Sequence, residues 1–194
     1  MILSNVELFA ALDEGRLVIR PEPQPRNSTV GQAHSPFDTH SVDLTLGDEI
    51  IVPKKGQFNY DLTKPGSIAE TIRQHSESIK ISNVQPFCLE PNCFVLGRTH
   101  EYVELPIVPG CSTCLAARIE GKSSRARFGI LIHFTAPTVH PGFAGTLTLE
   151  MINLGPASFI LRPGMAIAQL IVEEVRGCPI ASPSQFQGQR NPAG

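Results

Sequence analysis

Residues 145–153, Gly-Thr-Leu-Thr-Leu-Glu-Met-Ile-Asn, alternate between polar and apolar side chains, and this alternation decides the fold class. Successive side chains of a strand point to opposite faces of a sheet, so the two leucines and the methionine share one face. Thr148 and Glu150 share the other face. A run of this kind is typical of a half-buried β-strand that turns one face to a core.

Short segments of similar character recur along the rest of the chain. Turn signals separate them, among them the Pro-Gly pairs at 109–110, 141–142 and 163–164. Many short strands at close spacing are typical of a mainly β sandwich or barrel. We predict further strands near residues 17–19, 41–46, 49–52, 79–81, 86–89, 93–98, 101–105, 114–119, 130–135, 158–161 and 166–174.

Short helices accompany these strands. Residues 4–14 are predicted to form the first, because Ser4 and Glu7 have the spacing of a capping box and Gly15 ends the pattern. A second helix of about two turns is predicted near 122–128, between two glycines. Residues 67–75 would form one weak helical turn or two.

The composition fits a single globular domain covering residues 1–194. Hydrophobic residues make up 41% and charged residues 18%, which argues against a disordered chain, while 16 Gly and 17 Pro favour a turn-rich β protein over a helical bundle. The net charge of −2 argues against a general nucleic-acid binder. Residues 176–194 are too polar to pack as a core, so we expect a flexible tail or a lid.

No membrane or export segment is predicted. The N-terminus lacks a cationic start followed by an apolar run, and no stretch is long enough to cross a bilayer. The five cysteines are an odd number without a regular framework, which is typical of reduced thiols. We therefore expect a cytoplasmic protein.

The segment 121–129, Gly-Lys-Ser-Ser-Arg-Ala-Arg-Phe-Gly, is the richest in groups that bind anions. Ser123 and Arg127 are four residues apart and would share a helix face. Lys122, two hydroxyls and the first-turn N–H groups would suit a phosphate, although a solvated basic turn is the alternative. A phosphate loop is excluded, because its first glycine would fall at Ala116.

Two further features carry candidate site residues. A carboxylate at Glu150 in so apolar a strand is costly unless it is paired or used, so it is either a tunable acid/base or a salt-bridged structural residue. The segment 135–145, Thr-Ala-Pro-Thr-Val-His-Pro-Gly-Phe-Ala-Gly, forms a long turn between strands that can present backbone groups and an aromatic ring to a ligand.

In this order and spacing, the three segments resemble motifs of the dCTP deaminase / dUTPase-like superfamily. Segment 121–129 resembles G-R-S-S-x-x-R-x-G, segment 135–145 resembles T-A-x-x-I-D-P-G-[WF]-x-G, and Leu-Thr-Leu-Glu resembles the strand of the catalytic glutamate. Further family signatures are matched at 12–17, 41–47, 161–165 and 186–190, so the resemblance covers nearly the whole chain.

The resemblance implies a distorted jelly-roll, a β-clip-like barrel of the dUTPase type, assembled as a homotrimer with active sites between subunits. It implies hydrolysis of dCTP to dUTP and ammonia without zinc, with Mg²⁺ carried by the nucleotide phosphates and no metal held by protein side chains. Glu150 would be the proton shuttle. The residues implied to position water and base are Ser123, Arg127 and the carbonyl of Ala136. The other implied nucleotide-binding residues are Lys122, Ser124, His140, Phe143, Thr148 and Gln189.

Three departures from the family pattern bear on this reading. His140 stands where the family has an Asp that meets the 3′-hydroxyl and, in dUTP-hydrolysing relatives, serves the attacking water. Lys122 replaces an arginine and lacks its bidentate fork. Gln185 and Phe186 stand where relatives often have Lys-Tyr.

Three other interpretations remain open. A zinc deaminase would use H-x-E with a later P-C-x-x-C, which residues 75–77 and 109–114 match only loosely. A non-catalytic nucleotide-binding trimer would keep the fold and lose turnover. A dUTP diphosphatase or bifunctional enzyme is disfavoured by the missing Asp.

Overall fold

A computed structural model describes residues 1–28, 34–56, 68–180 and 187–193 of the protein. The helices in these ranges are α1 (Asn5–Asp13), α2 (Ile68–Gln74) and α3 (Ser123–Ala126). The strands are β1 (Val18–Arg20), β2 (Val42–Thr45), β3 (Glu49–Pro53), β4 (Ser76–Lys80), β5 (Phe87–Leu89), β6 (Phe94–Glu104), β7 (Thr113–Gly121), β8 (Ile130–Leu131), β9 (Thr138–Val139), β10 (Ala144–Asn153), β11 (Phe159–Leu161) and β12 (Ala166–Arg176).

The strands of the described ranges form three antiparallel sheets. The largest has the order β4-β3-β6-β10-β8, with β1 also paired to β6. A second sheet has the order β2-β12-β7-β9, and β11 pairs with β5. The mainly β fold with short helices, as predicted, is confirmed. No helix in the described part of the chain is long and apolar enough to span a membrane.

Alternation along the strands builds the core between the sheets. On β10, Leu147, Leu149 and Met151 are buried while Thr148 and Glu150 are only half-buried, as the sequence pattern predicts. Across the core, β2 and β12 present the buried leucines Leu44 and Leu170. Burial of one large aliphatic side chain is worth about 1.5–3 kcal/mol, so the apolar face of β10 holds that strand firmly in place.

Helix α1 is correctly predicted to within one residue at each end. The Ser4 hydroxyl accepts a hydrogen bond from the N–H of Glu7 at 3.4 Å, which is the expected N-cap contact. Leu8 and Ala11 are fully buried, and Phe9 contacts Phe37 edge to face with ring centroids 5.0 Å apart. The helix therefore closes one side of the core.

Several predicted strand boundaries are wrong. The separate strands near 93–98 and 101–105 are one strand, because Thr99 is fully buried and its hydroxyl is satisfied inside the sheet. That hydroxyl donates to the Glu101 carbonyl at 2.7 Å and accepts from the N–H of Leu147 at 2.9 Å. The strand predicted for 130–135 ends at Leu131, and β9 was not predicted.

Helix α3 has one turn rather than the predicted two. The chain after it is pinned to the end of β10, since the N–H of Leu154 donates to the Gly129 carbonyl at 2.8 Å. Gly129 has φ +95°, and a Cβ there would lie 2.4 Å from the nitrogen of Gly155. Only glycine tolerates both this φ and this approach, so α3 has no room to extend and its position relative to β10 is fixed.

Candidate active site

Glu150 lies on the face of β10 that points away from the core. It is paired with Leu96 of β6, and its side chain is 33% exposed. The adjacent residues of the strand, Leu149 and Met151, are fully buried. The strand therefore holds this carboxylate rigidly while leaving it open to a ligand.

His133 is the immediate partner of this carboxylate. Its Nδ1 lies 2.9 Å from Oε2 of Glu150, and the N–H of Phe134 points at the same oxygen from 3.5 Å. An ionised carboxylate only accepts hydrogen bonds, so Nδ1 carries the proton. The hydrogen bond from His133 lowers the pKa of Glu150 more than partial burial raises it. Glu150 is therefore a carboxylate at neutral pH, held by the imidazole of His133.

Two exposed aromatic rings border the same face. The ring centroids of Phe94 and Phe134 are 5.7 Å apart. Phe94 lies on β6, where it is paired with Ile152 of β10. Phe134 is joined to Glu150 through its N–H group. The carboxylate thus has an apolar border, which suits a flat uncharged ring.

The predicted side chains of the Gly-Lys-Ser-Ser segment lie at the surface. Ser123, Ser124 and Arg127 are exposed on the single turn of α3. Within the described ranges, no hydrogen bond or ion pair joins the side chains of Ser123 and Arg127 to Glu150. One turn adds little helix dipole, so any anion bound here would depend on the side chains themselves.

Lys122 is already engaged in this chain. Its Nζ forms an ion pair and a hydrogen bond with Asp43 of β2, and the amide of Gln169 also donates to Asp43, at 3.3 Å. These residues border an open cleft of about 570 Å³ that Glu101 also lines. Glu150 is not among the residues that line this cleft.

The loop after His133 carries the next three predicted residues. Ala136 and His140 are exposed, whereas Phe143 packs against the core. The loop is held to β7, because the Pro137 carbonyl accepts from the N–H of Ile119 at 2.9 Å. Ala136 and His140 are therefore presented on a supported loop, and Phe143 acts as its inner anchor.

The two remaining predicted residues meet at the C-terminal tail. The Thr148 hydroxyl donates to the Pro192 carbonyl at 3.5 Å, and the Gln189 side-chain amide donates to the Thr146 carbonyl at 2.7 Å. The Gln189 carbonyl in turn accepts from the N–H of Thr146 at 3.0 Å. Residues 187–193 thus lie along β10 as a docked tail, while Gln185 and Phe186 fall outside the described residues.

No metal centre is assembled from the side chains described in the structure. No group of three or more His, Cys, Asp or Glu in these ranges is arranged to hold a metal ion. Of the zinc-type sequence matches, Glu77 lies in β4 of the large sheet and Cys114 in β7 of another sheet. All five cysteines are free.

The comparisons with known proteins agree with one another. The profile of the dCTP deaminase-like family matches residues 2–175. The chain belongs to the dCTP deaminase-like family. The family resemblance deduced from the sequence motifs is therefore confirmed.

Individual relatives give the same result. A dCTP deaminase of Thermomicrobium roseum is 35% identical, covering 99% of this chain and 91% of its own length. A dUMP-forming dCTP deaminase of Dictyoglomus thermophilum is also 35% identical, covering 99% of this chain and 92% of its own.

A solved structure supports the fold independently. The crystal structure of 2'-deoxycytidine 5'-triphosphate deaminase from Agrobacterium tumefaciens matches with a TM-score of 0.57 at 19% identity. The match covers 88% of this chain and 47% of that one, so this chain spans about half the length of that neighbour.

Sequence reasoning missed two residues that the structure brings into contact with predicted ones. His133 stands just before the quoted segment 135–145, and its polar side chain between two apolar neighbours was the available signal. Asp43 lies within the signature at 41–47, where its place on the polar face of β2 indicated a partner. Neither pairing could be read from the sequence, because each joins residues far apart in the chain.

Replacing His133 with leucine should raise the pKa of Glu150, because the hydrogen bond disappears while partial burial remains. The lowered pKa means that the hydrogen bond from His133 to the ionised Glu150 stabilises the fold above the ordinary carboxyl range, and this stabilisation is lost as the pH falls through the pKa of Glu150. The variant should therefore be less stable than wild type near neutral pH, by a margin that shrinks in acid. NMR titration of the Glu150 carboxyl carbon and thermal unfolding across pH would measure both effects.

The exposed His100 of β6 supplies the control, because the same His-to-Leu substitution there leaves the hydrogen bond between His133 and Glu150 in place. His100→Leu should leave the Glu150 titration at its wild-type position. An unchanged Glu150 midpoint in His133→Leu would show that the imidazole does not set the charge of this carboxylate.

Proposed function

We propose that the protein is a dCTP deaminase that converts dCTP and water to dUTP and ammonia with Glu150 as the proton shuttle. The observation that carries this proposal is the ionised Glu150, held by His133 on the open face of β10 in a chain of the dCTP deaminase-like family. The dCTP deaminases of T. roseum and D. thermophilum, each 35% identical over 99% of this chain, supply the substrate class.

The proton inventory of the reaction explains why a carboxylate is suited to it. Glu150 takes a proton from water as its oxygen adds to C4 of the cytosine, and passes that proton to N3. Glu150 then transfers the proton of the new C4 hydroxyl to the 4-amino group. The C–N bond breaks, the C4 carbonyl forms, and ammonia leaves. A group that begins as a base must be ionised beforehand, and the hydrogen bond from His133 keeps Glu150 in that form.

Other residues would hold the substrate during these steps. The Phe94–Phe134 pair would lie against the flat base, and Ser123, Arg127 and the Ala136 carbonyl would orient water and base. Lys122, Ser124 and Gln189 would lie along the phosphates and sugar, with Mg²⁺ arriving on the triphosphate. Lys122 would first have to exchange Asp43 for a phosphate.

The site is proposed to be completed by a neighbouring chain in a homotrimer. The exposed side chains of Ser123 and Arg127 have no hydrogen-bond or ion-pair contact with Glu150 in the described part of one chain, although deamination needs them together. Large apolar side chains surround this region, with Phe128 65% and Leu154 58% exposed. Association would bury them and supply the missing polar groups.

Glu150→Gln should abolish most of the deamination, because the amide keeps the size and hydrogen bonding of the side chain but carries no transferable proton. The rate should fall by about 10²–10⁴-fold with dCTP binding largely kept. Ammonia release gives the rate and calorimetry the binding. Glu77→Gln, an exposed carboxyl of β4, serves as the control and should leave the rate unchanged. Near-normal turnover by Glu150→Gln would remove this residue from the mechanism.

Mixing two inactive variants should restore activity if each site draws on two chains. Trimers formed after unfolding and refolding of equal amounts of Glu150→Gln and Arg127→Leu should recover about a quarter of the wild-type sites. A shared site is intact only when the chain that supplies Glu150 and the neighbour that supplies Arg127 each carry the unaltered residue. Light scattering should give a trimer of the 21.0 kDa chain. A stable, active monomer, or a mixture as inactive as its components, would rule out shared sites.

The product is proposed to be dUTP with its phosphates intact. Neutral imidazole at His140 can accept a hydrogen bond from the sugar, but it is a poorer anchor than a carboxylate for a water beside the α-phosphate. The dUMP-forming name of the D. thermophilum relative makes the further hydrolysis of dUTP the specific competing function.

His140→Asp should therefore gain pyrophosphate release that wild type lacks, because it restores the carboxylate that the family motif carries. Wild type and variant would be incubated with dUTP and Mg²⁺, and dUMP and pyrophosphate quantified. His140→Asn, which matches aspartate in shape without its charge, should not gain the activity. Robust formation of dUMP by the wild-type protein would show that another group replaces the missing Asp.

A further inference from the structure

A cleft of about 580 Å³ lies between the large sheet and the docked tail, separate from Glu150. Three arginines and two hydroxyl-bearing side chains line it, namely Arg20, Arg98, Tyr102, Thr146 and Arg190. We call it the arginine cleft. Every one of these side chains offers a hydrogen-bond donor, and no carboxylate of the described residues lines the cleft.

Sheet register brings these residues together. Arg20 of β1 is opposite Tyr102 of β6, and Tyr102 is opposite Thr146 of β10. Arg98 lies four residues before Tyr102 on the same strand, opposite Thr148. The cleft floor is therefore built on three paired strands and is held by backbone hydrogen bonds.

The tail supplies the third arginine. Gln189 is hydrogen-bonded to the N–H and the carbonyl of Thr146, and the N–H of Gly188 donates to the Ala144 carbonyl at 2.8 Å. These contacts place Arg190, the next residue, at the rim of the cleft. The floor and the tail thus contribute cations from segments that are distant in the sequence.

The arginines differ in how their charge is balanced. Arg98 is held by Asp48, with Nη2 2.7 Å from Oδ1. Arg20 and Arg190 are exposed, and in the described part of the chain neither has an acidic side chain within 4.0 Å. Two uncompensated guanidiniums beside a third are repelled by one another unless an anion lies between them, and guanidinium forks match phosphate oxygens closely.

We propose that the arginine cleft binds a phosphate-class oxyanion, and that this anion joins Arg190 to Arg20 and Arg98 and thereby fastens the tail to β10. The site is distinct from the proposed base site, since Thr146 precedes Glu150 by four residues, about 13 Å along an extended strand. It is also distinct from Lys122, whose charge is compensated by Asp43. The anion is either free or part of a nucleotide, and binding requires no turnover.

The test measures binding of inorganic pyrophosphate to the full chain by calorimetry in wild type, Arg20→Gln and Arg190→Gln. Each loss of a charged hydrogen-bond donor should weaken binding by about tenfold or more. Arg20→Lys, which keeps the charge without the fork, should lose less. Arg176→Gln removes an exposed arginine from the end of β12, outside the cleft, and should bind as wild type does.

Hydrogen exchange supplies a second readout. Pyrophosphate should slow exchange at the N–H groups of Thr146 and Gly188, which report tail docking, in wild type but not in Arg20→Gln. Both arginines are exposed, so thermal unfolding should show that the variants stay folded. Repeating the titration with dCTP on Glu150→Gln protein identifies the source of the anion. Matching losses with dCTP indicate nucleotide phosphates, and losses with pyrophosphate alone indicate a free oxyanion.

Three results would overturn anion binding at the arginine cleft. The first is no pyrophosphate binding by wild type at millimolar concentration, and the second is equal losses in Arg176→Gln and Arg20→Gln. The third is a loss confined to Lys122→Gln, measured in the same pyrophosphate titration, which would place the anion at the cleft beside Asp43. Protection of Thr146 and Gly188 that persists in Arg20→Gln would separate tail docking from the anion and refute the fastening role. None of these measurements depends on whether dCTP is deaminated.

Discussion

The pairing of β10 with β6 constrains the whole candidate site. It buries Leu147, Leu149 and Met151 between the sheets, and the two-residue alternation then forces Thr148 and Glu150 onto the opposite face. A shift of one residue would bury the carboxylate and expose the leucines, at a cost of several kcal/mol per exchanged pair. The same packing that stabilises the domain therefore fixes the position of the Glu150 carboxylate.

The irregular point of that pairing is equally informative. The register shifts between Thr146 and Thr148, so Leu147 has no paired residue on β6. Its N–H donates instead to the hydroxyl of Thr99. One residue separates Thr146 from Thr148 on β10, whereas three separate their partners Arg98 and Tyr102, so the extra residues of this bulge lie on β6 and increase the local twist there. The irregularity divides β10 into two segments. Thr146, which is hydrogen-bonded to the tail, lies before it, and Glu150 lies after it.

Features set by residues that are close together in the chain could be predicted from the sequence alone, whereas features set by contacts between distant residues could not. Local signals sufficed for α1, where capping and periodicity agree, and for the alternation of β10. They failed for β6, because the polar Thr99 and His100 look like a break until the partners of the Thr99 hydroxyl are known. The predicted second turn of α3 failed because Gly155 lies against the residues that would extend it.

The candidate site shows the same division. Motif order placed Glu150, Ser123 and Arg127 in one hypothesis, but it could not show that His133 would hold Glu150 or that Asp43 would hold Lys122. Both contacts join segments of different sheets or loops, 17 and 79 residues apart, so they arise only when the fold closes. Electrostatic pairing of this kind leaves no periodicity in the sequence.

In the proposed mechanism, these pairings would also give the site an order of events. In the single chain Glu150 is already ionised, while Lys122 is bound to Asp43 and the serines of α3 are exposed. A base prepared in advance costs no reorganisation at the moment of reaction, whereas a lysine compensated by a carboxylate must exchange one anion for another. Substrate phosphate is the natural competitor for Lys122, because a polyphosphate carries more charge than one aspartate. Proton transfer would thus be ready before the nucleotide arrives, and phosphate binding would be the step that rearranges the protein.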